Sequence, residues 1–221
     1  MIITWYGHSC FKIQTKPKRG SAFDEIVIFT DPFDKSIGLR PPYGHADIVT
    51  VSHNHHDHNN TASLKDDPFV VDSPGEYSIK DIAIEGIESF HDNAGGAQKG
   101  RNTIFLIESE DMRICHLGDL GHALSEKQVE QIGDVDILMI PIGGHASLDG
   151  KGAEKVIGQI EPKIIIPMHY KIKGLTVDLD DEKEFCQEFG AKVQQEVPRL
   201  TLKKKDLEEK ENEIVIMTTS A

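Results

Sequence analysis

His53-Asn54-His55-His56-Asp57-His58 puts four imidazoles and a carboxylate into six consecutive residues, in the pattern H-x-H-x-D-H. An apolar, β-branched run, Asp47-Ile48-Val49-Thr50-Val51-Ser52, leads into it and reads as a strand ending where the histidines begin. In extended backbone, residues two apart point the same way, so His53 and His55 are expected to face one cation together. Asp57 and His58 follow once the chain has begun to turn, and so face a second position beside the first. Imidazole nitrogen and carboxylate oxygen suit zinc, manganese, iron or nickel, and neutral rings release few protons on binding. Histidine tags are uninterrupted and terminal, whereas this stretch is broken, internal and preceded by a hydrophobic strand. It reads as a metal site.

Histidine or aspartate recurs elsewhere at predicted strand ends. Upstream, strands over Met1–Gly7 and Ser9–Thr15 flank a Gly7-His8 turn, and an apolar strand over Glu25–Thr30 is stopped by Asp31-Pro32-Phe33. Asp31 either caps that turn or faces the metal, with the cap as the favoured reading. Lys35–Ala46, with Pro41, Pro42 and His45, is expected to be loop. Downstream, strands over Phe69–Val71, Glu76–Ile79 and Ile82–Ser89 lead to a loop that opens with Phe90-His91. A hairpin over Thr103–Glu108 and Met112–His116 ends at Leu117-Gly118-Asp119-Leu120-Gly121-His122. Ser125-x-x-Gln128 is a capping box for a helix through Gln131. Further helices are expected over about Lys151–Ile160 and Asp181–Phe189. Strands are expected over Asp136–Ile140, closed by Pro141, and over Lys163–Ile166, broken by Pro167 ahead of His169. Two last strands, Leu200–Lys204 and Glu213–Thr218, flank a charged turn at Asp206–Asn212. Each half is rich in strands with helices inserted late, which suits two facing sheets with helices outside.

At 221 residues, one domain spanning 1–221 is the expectation. Cys10, Cys115 and Cys186 are few, odd in number and far apart, which favours a reducing cytosol and buried thiols over disulfides. The N-terminus shows no signal-peptide pattern and no apolar run reaches membrane-spanning length, so a soluble cytoplasmic protein with no membrane partner is expected. The formal charge of −13, from 37 acidic and 24 basic residues, would repel a nucleic-acid backbone. That weighs against a nuclease, and no nucleic-acid partner is expected.

The order H-x-H-x-D-H, then His91, Asp119 and His169, resembles the metallo-β-lactamase superfamily. Gly7-His8-Ser9-Cys10-Phe11, Thr30-Asp31-Pro32-Phe33, Leu117-Gly118-Asp119, Pro141-Ile142-Gly143-Gly144 and Pro167-Met168-His169-Tyr170 narrow the resemblance to a small cytosolic branch related to the ascorbate-6-phosphate lactonase group. The resemblance implies an α+β fold, a four-layer αββα sandwich with the metal site at one edge between the sheets. It implies two divalent metal ions, zinc first, with manganese, iron or nickel as alternatives. His53, His55 and His91 would hold one; Asp57, His58 and His169 the other; Asp119 would bridge them. His91 is preferred to His116 and His122 because it opens a loop and precedes Asp119 by a whole hairpin. His8 is a candidate catalytic residue beside Asp57 and Asp119, balanced against a buried turn histidine. His56 should point away from the first metal, His145 should border the pocket without ligating, and His45 belongs to a loop.

Two cations about 3.5–4 Å apart can share a hydroxide and polarise a carbonyl or phosphoryl oxygen. The leading expectation is a metal-dependent hydrolase of a small ester, lactone or phosphoester, with Asp57 and Asp119 orienting the nucleophile. A phosphodiesterase or nuclease of the same fold, and a metal-binding or ligand-sensing module, are the alternatives; the complete ligand set argues against the module. Redox chemistry at iron would call for a flavin domain, for which the chain has no room, or a different ligand pattern. Lys99, Arg101, Lys171 and Lys173 are candidate anchors for a charged small-molecule substrate, and otherwise simply solvated. A homo-oligomer is compatible with the sequence but not demanded by it.

Overall fold

The computed structural model describes residues 1–17, 20–145, 147–189 and 193–220. Strands β1 (Ile2–Gly7) and β2 (Cys10–Thr15) run antiparallel and alternate between covered and partly open positions, the period of a strand with one face on a core. Ile3, Trp5, Phe11 and Ile13 supply the covered face. β3 (Ile26–Thr30) is buried along its whole length. Its Ile26 and Ile28 turn to the main core, while Val27 and Phe29 turn to a smaller one behind it.

The expected loop from Lys35 to Ala46 holds a 3-10 turn at Lys35–Ile37 and a two-residue strand, β4 (Gly44–His45). β5 (Ile48–Thr50) is shorter than expected. At its start the Asp47 carboxylate accepts the Val27 amide, and beyond Thr50 the chain bends into the histidines. β6 (Leu64–Lys65) pairs with β4, following a 3-10 turn at Thr61–Ser63. β7 (Phe69–Val71) pairs in parallel with β5.

β8 (Gly75–Ile79), β9 (Ile82–Phe90), β10 (Arg101–Ser109) and β11 (Met112–His116) form an antiparallel meander. Helix α1 (Glu126–Ile132) follows, capped by Ser125 and Gln128 in the reciprocal arrangement the sequence predicts. Then come β12 (Ile137–Pro141), α2 (Gly150–Ile160), with Asp149 accepting the Gly152 amide at its N-cap, β13 (Ile164–Met168) and α3 (Lys183–Phe189). β14 (Val193–Val197), β15 (Leu200–Thr201) and β16 (Glu213–Met217) end the chain.

Two mixed sheets result, ordered β15-β1-β2-β3-β5-β7 and β14-β16-β13-β12-β11-β10-β9-β8. Their facing sides share one core, to which Ala153, Val156, Ile157 and Ile160 of α2 also contribute. β12 and β13 are parallel and wholly buried, as strands covered on both faces must be. Over the first sheet the outer cover is thin: Phe33, Ile37, Leu175 and Leu179 close the smaller core there. This is the α+β sandwich of the expectation. No described helix is long and apolar enough to cross a membrane.

Three local expectations fail for identifiable reasons. Pro167 does not break its strand: it sits opposite Ile140, and β13 continues to Met168, because extended backbone accommodates a proline that gives up one donor. β14 was not expected, since Val193-Gln194-Gln195-Glu196-Val197 has no apolar alternation, yet it adds to the sheet edge alongside β16. The strand expected over Leu200–Lys204 stops at Thr201, and a 3-10 turn at Lys204–Leu207 takes its place.

Candidate metal centre

Six strands deliver the site. β1 ends just before His8, β3 before Asp31, β5 before the histidine stretch, β9 before His91, β11 before Asp119 and β13 before His169. His8, Asp31 and His169 all hold positive φ, at 54°, 38° and 51°. That conformation is costly for residues with a Cβ and turns each chain sharply off its strand. The two halves are stitched at this rim. His169 donates its amide to the His8 carbonyl at 3.0 Å, and Thr103 donates its amide to the Ser52 carbonyl at 2.8 Å. The Asn102 side chain accepts the Asp119 amide at 2.9 Å.

Asp119 is the centre. Its Oδ2 lies 3.0 Å from His169 Nε2, 3.1 Å from His91 Nε2, 3.2 Å from His58 Nε2 and 3.9 Å from His53 Nε2. His53, His55 and His91 have ligand-capable atoms within 4.8 Å of one another, and so, separately, do His8, Asp57, His58 and His169. Two donor atoms each 2.0–2.1 Å from a tetrahedral cation stand about 3.4 Å apart, so these separations are those of ligand-sphere edges. The histidine stretch itself is a run of bends and turns, not extended backbone. Strand alternation therefore does not bring His53 and His55 together; the turn does, with ring centroids 4.5 Å apart.

The back of three of the rings is fixed. His53 Nδ1 meets Ser52 Oγ at 2.9 Å, His58 Nδ1 meets Asp31 Oδ2 at 2.9 Å, and His169 Nδ1 meets Ser147 Oγ at 3.3 Å. Metal-bound histidines are typically held this way through the nitrogen that faces away from the ion. His53 Nε2 is buried and makes no hydrogen bond, leaving a lone pair aimed at the cluster. The residues present thus fit divalent cations, with an orphaned imidazole nitrogen on one side and carboxylates on the other.

Charge follows the same layout. Burial opposes charge on His58, but the Asp119 carboxylate and hydrogen bonds to Asp119 and Asp31 outweigh it and raise its pKa well above the ordinary value. Burial likewise works against the Asp119 anion, yet His169 and His58 pull its pKa well below the carboxylate range. Burial, then the neighbouring His58, pushes His53 down to about 3; burial, then His169, does the same to His8. Asp57 is lowered despite its burial, through its hydrogen bond with His8 and the charge of His58.

The remaining candidates fall behind or outside the cluster. Asp31 is wholly buried and accepts from Ser52 N at 2.7 Å and from Ser52 Oγ at 2.6 Å as well as facing His58. It is not primarily the turn cap favoured from sequence; a carboxylate at the end of a fully apolar strand was the available signal. His116 Nε2 faces the Ser9 carbonyl at 2.9 Å and its Nδ1 accepts the Gly118 amide at 3.2 Å. His122 Nε2 accepts the Phe90 amide at 3.1 Å and its Nδ1 faces the Ala123 carbonyl at 2.8 Å. Both brace backbone segments. The His56 side chain is 73% exposed, and His45 pairs with Asp66 and Asp47 away from the site. His145 is half exposed beside Asp178 and Asp180. Lys99, Arg101, Lys171 and Lys173 are exposed. Arg101 lies 3.7 Å from Glu88, and Lys171 donates to the Val177 carbonyl. Sequence reasoning missed Ser52, Asn102 and Ser147, small polar residues whose types announce nothing.

The family model described as the beta-lactamase superfamily domain matches residues 2–169. A metal-dependent hydrolase from Staphylothermus marinus is 30% identical over 193 residues, 76% of this chain and 83% of its own length. Another from Methanopyrus kandleri is 24% identical over 230 residues, covering 88% of this chain and 95% of its own. Among solved structures, a protein from Thermotoga maritima, described as a candidate zinc-dependent hydrolase of the metallo-β-lactamase superfamily, is 37% identical. It superposes with a TM-score of 0.76 over 98% of this chain and 97% of that one.

Proposed function

The chain belongs to the β-lactamase superfamily and is a metal-dependent hydrolase of that superfamily, and from this we propose that it is a dinuclear hydrolase of a small ester, lactone or phosphoester. The observation that carries the reading is the position of Asp119 Oδ2 among four imidazole Nε2 atoms at 3.0–3.9 Å. A single carboxylate oxygen so placed is suited to lie between two cations. His53, His55 and His91 would hold one, and Asp57, His58 and His169 the other. Zinc is the first candidate, with manganese, iron or nickel as alternatives.

When bound, the cations supply Lewis acidity and bring the pKa of a coordinated water towards neutrality. The chain's own residues divide the remaining work. The Asp119 side chain is 2% exposed and Asp57 16%. Asp57 is thus the carboxylate that meets an incoming water, and Asp119 the one that holds the imidazoles in register. His55 is the exposed imidazole of the set, so a small substrate would approach the cluster from its side. The lactone reading rests on the motif resemblance, and the net charge of −13 favours a small molecule over a nucleic-acid backbone.

The test is metal content per chain after purification without chelators, followed by lactone and phosphodiester substrate panels. About two metals per chain are expected, with turnover lost on chelation and restored by zinc or manganese. Asp57→Ala and Asp119→Ala should remove turnover while leaving the fold. Full activity in both variants, or no metal and no turnover after reconstitution, would overturn the proposal.

A further inference from the structure

His8 sits where the two halves of the chain meet. Its ring is wholly buried, with centroids 4.2 Å from His169 and 4.7 Å from His58. Its carbonyl accepts both the Trp5 indole N–H and the His169 amide, each at 3.0 Å. With φ at 54°, the backbone turns the imidazole inward to meet Asp57, its Nε2 standing 3.2 Å from Asp57 Oδ2.

That separation fits two roles: a hydrogen bond, or an edge between two ligands of one cation. The other nitrogen decides between them. His53, His58 and His169 each have a polar partner behind the ring at Nδ1. His8 Nδ1 is buried and has no partner among the described residues. Were Nε2 to bind a cation, the neutral ring would carry its proton on Nδ1, as a buried donor with nothing to receive it, at full desolvation cost. With the proton on Nε2, the ring donates to Asp57 Oδ2 and leaves only a lone pair on Nδ1, the cheaper vacancy. A carboxylate oxygen has a second lone pair free for a cation.

We infer that His8 is a positioning residue, not a sixth imidazole ligand: its Nε2–H holds Asp57 Oδ2 in place for the second cation site. The inference deepens the proposed dinuclear centre and rests on it.

Glutamine and asparagine separate the two ring nitrogens, because a glutamine amide reaches the Nε2 position and an asparagine amide the Nδ1 position. The experiment titrates Co2+ into chelator-stripped wild type, His8→Gln and His8→Asn, following the visible absorption band and competition with a chromophoric chelator. A melting curve of each cation-free variant confirms that it folds. The wild type should bind two Co2+. His8→Gln should keep the second affinity within about threefold and leave the band unchanged, whereas His8→Asn should weaken it about 10–100-fold, as loss of an outer partner does. Equal losses in both variants with an altered band would make His8 a direct ligand and overturn the inference. So would wild-type binding in both variants, or Asn retaining what Gln loses. A wild type that takes up no Co2+ would instead bring down the metal-centre reading, and the inference with it.

Discussion

His58 Nδ1 stands 2.9 Å from Asp31 Oδ2, with both side chains wholly buried, while its Nε2 lies 3.2 Å from Asp119 Oδ2. One imidazole is therefore strung between two carboxylates, one behind it and one within the ligand cluster. Asp31→Asn keeps the shape but removes the charge behind the ring. The expected outcome is a second-site cation affinity weaker by about 10–100-fold, with lower turnover at fixed metal concentration. Isothermal titration of the stripped protein measures it; an unchanged affinity would make Asp31 purely structural.

The cation-free protein should be most stable near pH 6.5. His8 and His53, held down to about 3 chiefly by burial, stay neutral in the fold, while the unfolded chain protonates them near 6.5. Stability from these two rings is complete above 6.5. It falls on acidification towards about 3, by up to ~1.4 kcal/mol per pH unit for each. His58 runs the other way, because its folded pKa is raised by Asp119 and Asp31 against the pull of burial. Its contribution is present below 6.5 and is lost as pH rises through the folded value. Urea unfolding of the stripped protein across pH 4–9 should trace a maximum. A curve that only rises or only falls would contradict this assignment of protons.

How much of this was legible beforehand depends on what each residue type announces. His53, His55, Asp57, His58, His91, Asp119 and His169 were named as candidates because their order resembles the superfamily's motif and each lies just past a predicted strand. The structure brings all of them within one cluster. Pattern also revealed β1, β2 and the α1 cap, where apolar alternation and Ser125–Gln128 are local signals. It failed at β14, which is a strand only because β16 lies beside it. It failed again at the supports: Ser52, Asn102 and Ser147 acquire meaning only when a distant ring or amide arrives at them.

Gly121 tests how closely the Asp119 loop is fitted to His91. A Cβ there would lie 2.5 Å from both the carbonyl carbon and the carbonyl oxygen of His91, and 2.6 Å from the Asp92 nitrogen. All three are backbone atoms, so no side chain can swing clear. Gly121→Ala should cost about 1–3 kcal/mol as overpacking, and should loosen the first cation by shifting His91. Unfolding midpoint and metal stoichiometry read the two effects. An alanine variant with wild-type stability and two tightly bound cations would show that the loops separate freely.

Asp92 does for the loop after His91 what Gly121 does for its other side. Its Oδ1 accepts the Ala94 and Gly96 amides at 2.8 and 2.9 Å, and its Oδ2 the Gln98 and Lys99 amides at 2.9 and 2.7 Å. Four amides on one carboxylate, that of Lys99 foremost, hold its pKa down to about 2. The clamp is present above the ordinary carboxylate pKa and is lost as pH falls through about 2, so it is closed at any working pH. Asp92→Ala leaves all four donors without that acceptor and loosens the loop that His91 opens. Amide exchange at 94–99 should accelerate at least tenfold. First-site cation affinity should fall while the second site, built from other loops, keeps its own. Exchange measured by mass spectrometry and a two-site titration distinguish the outcomes. Loss of both sites together would mean that the two cations bind as one unit and that the His91 loop is not independently held.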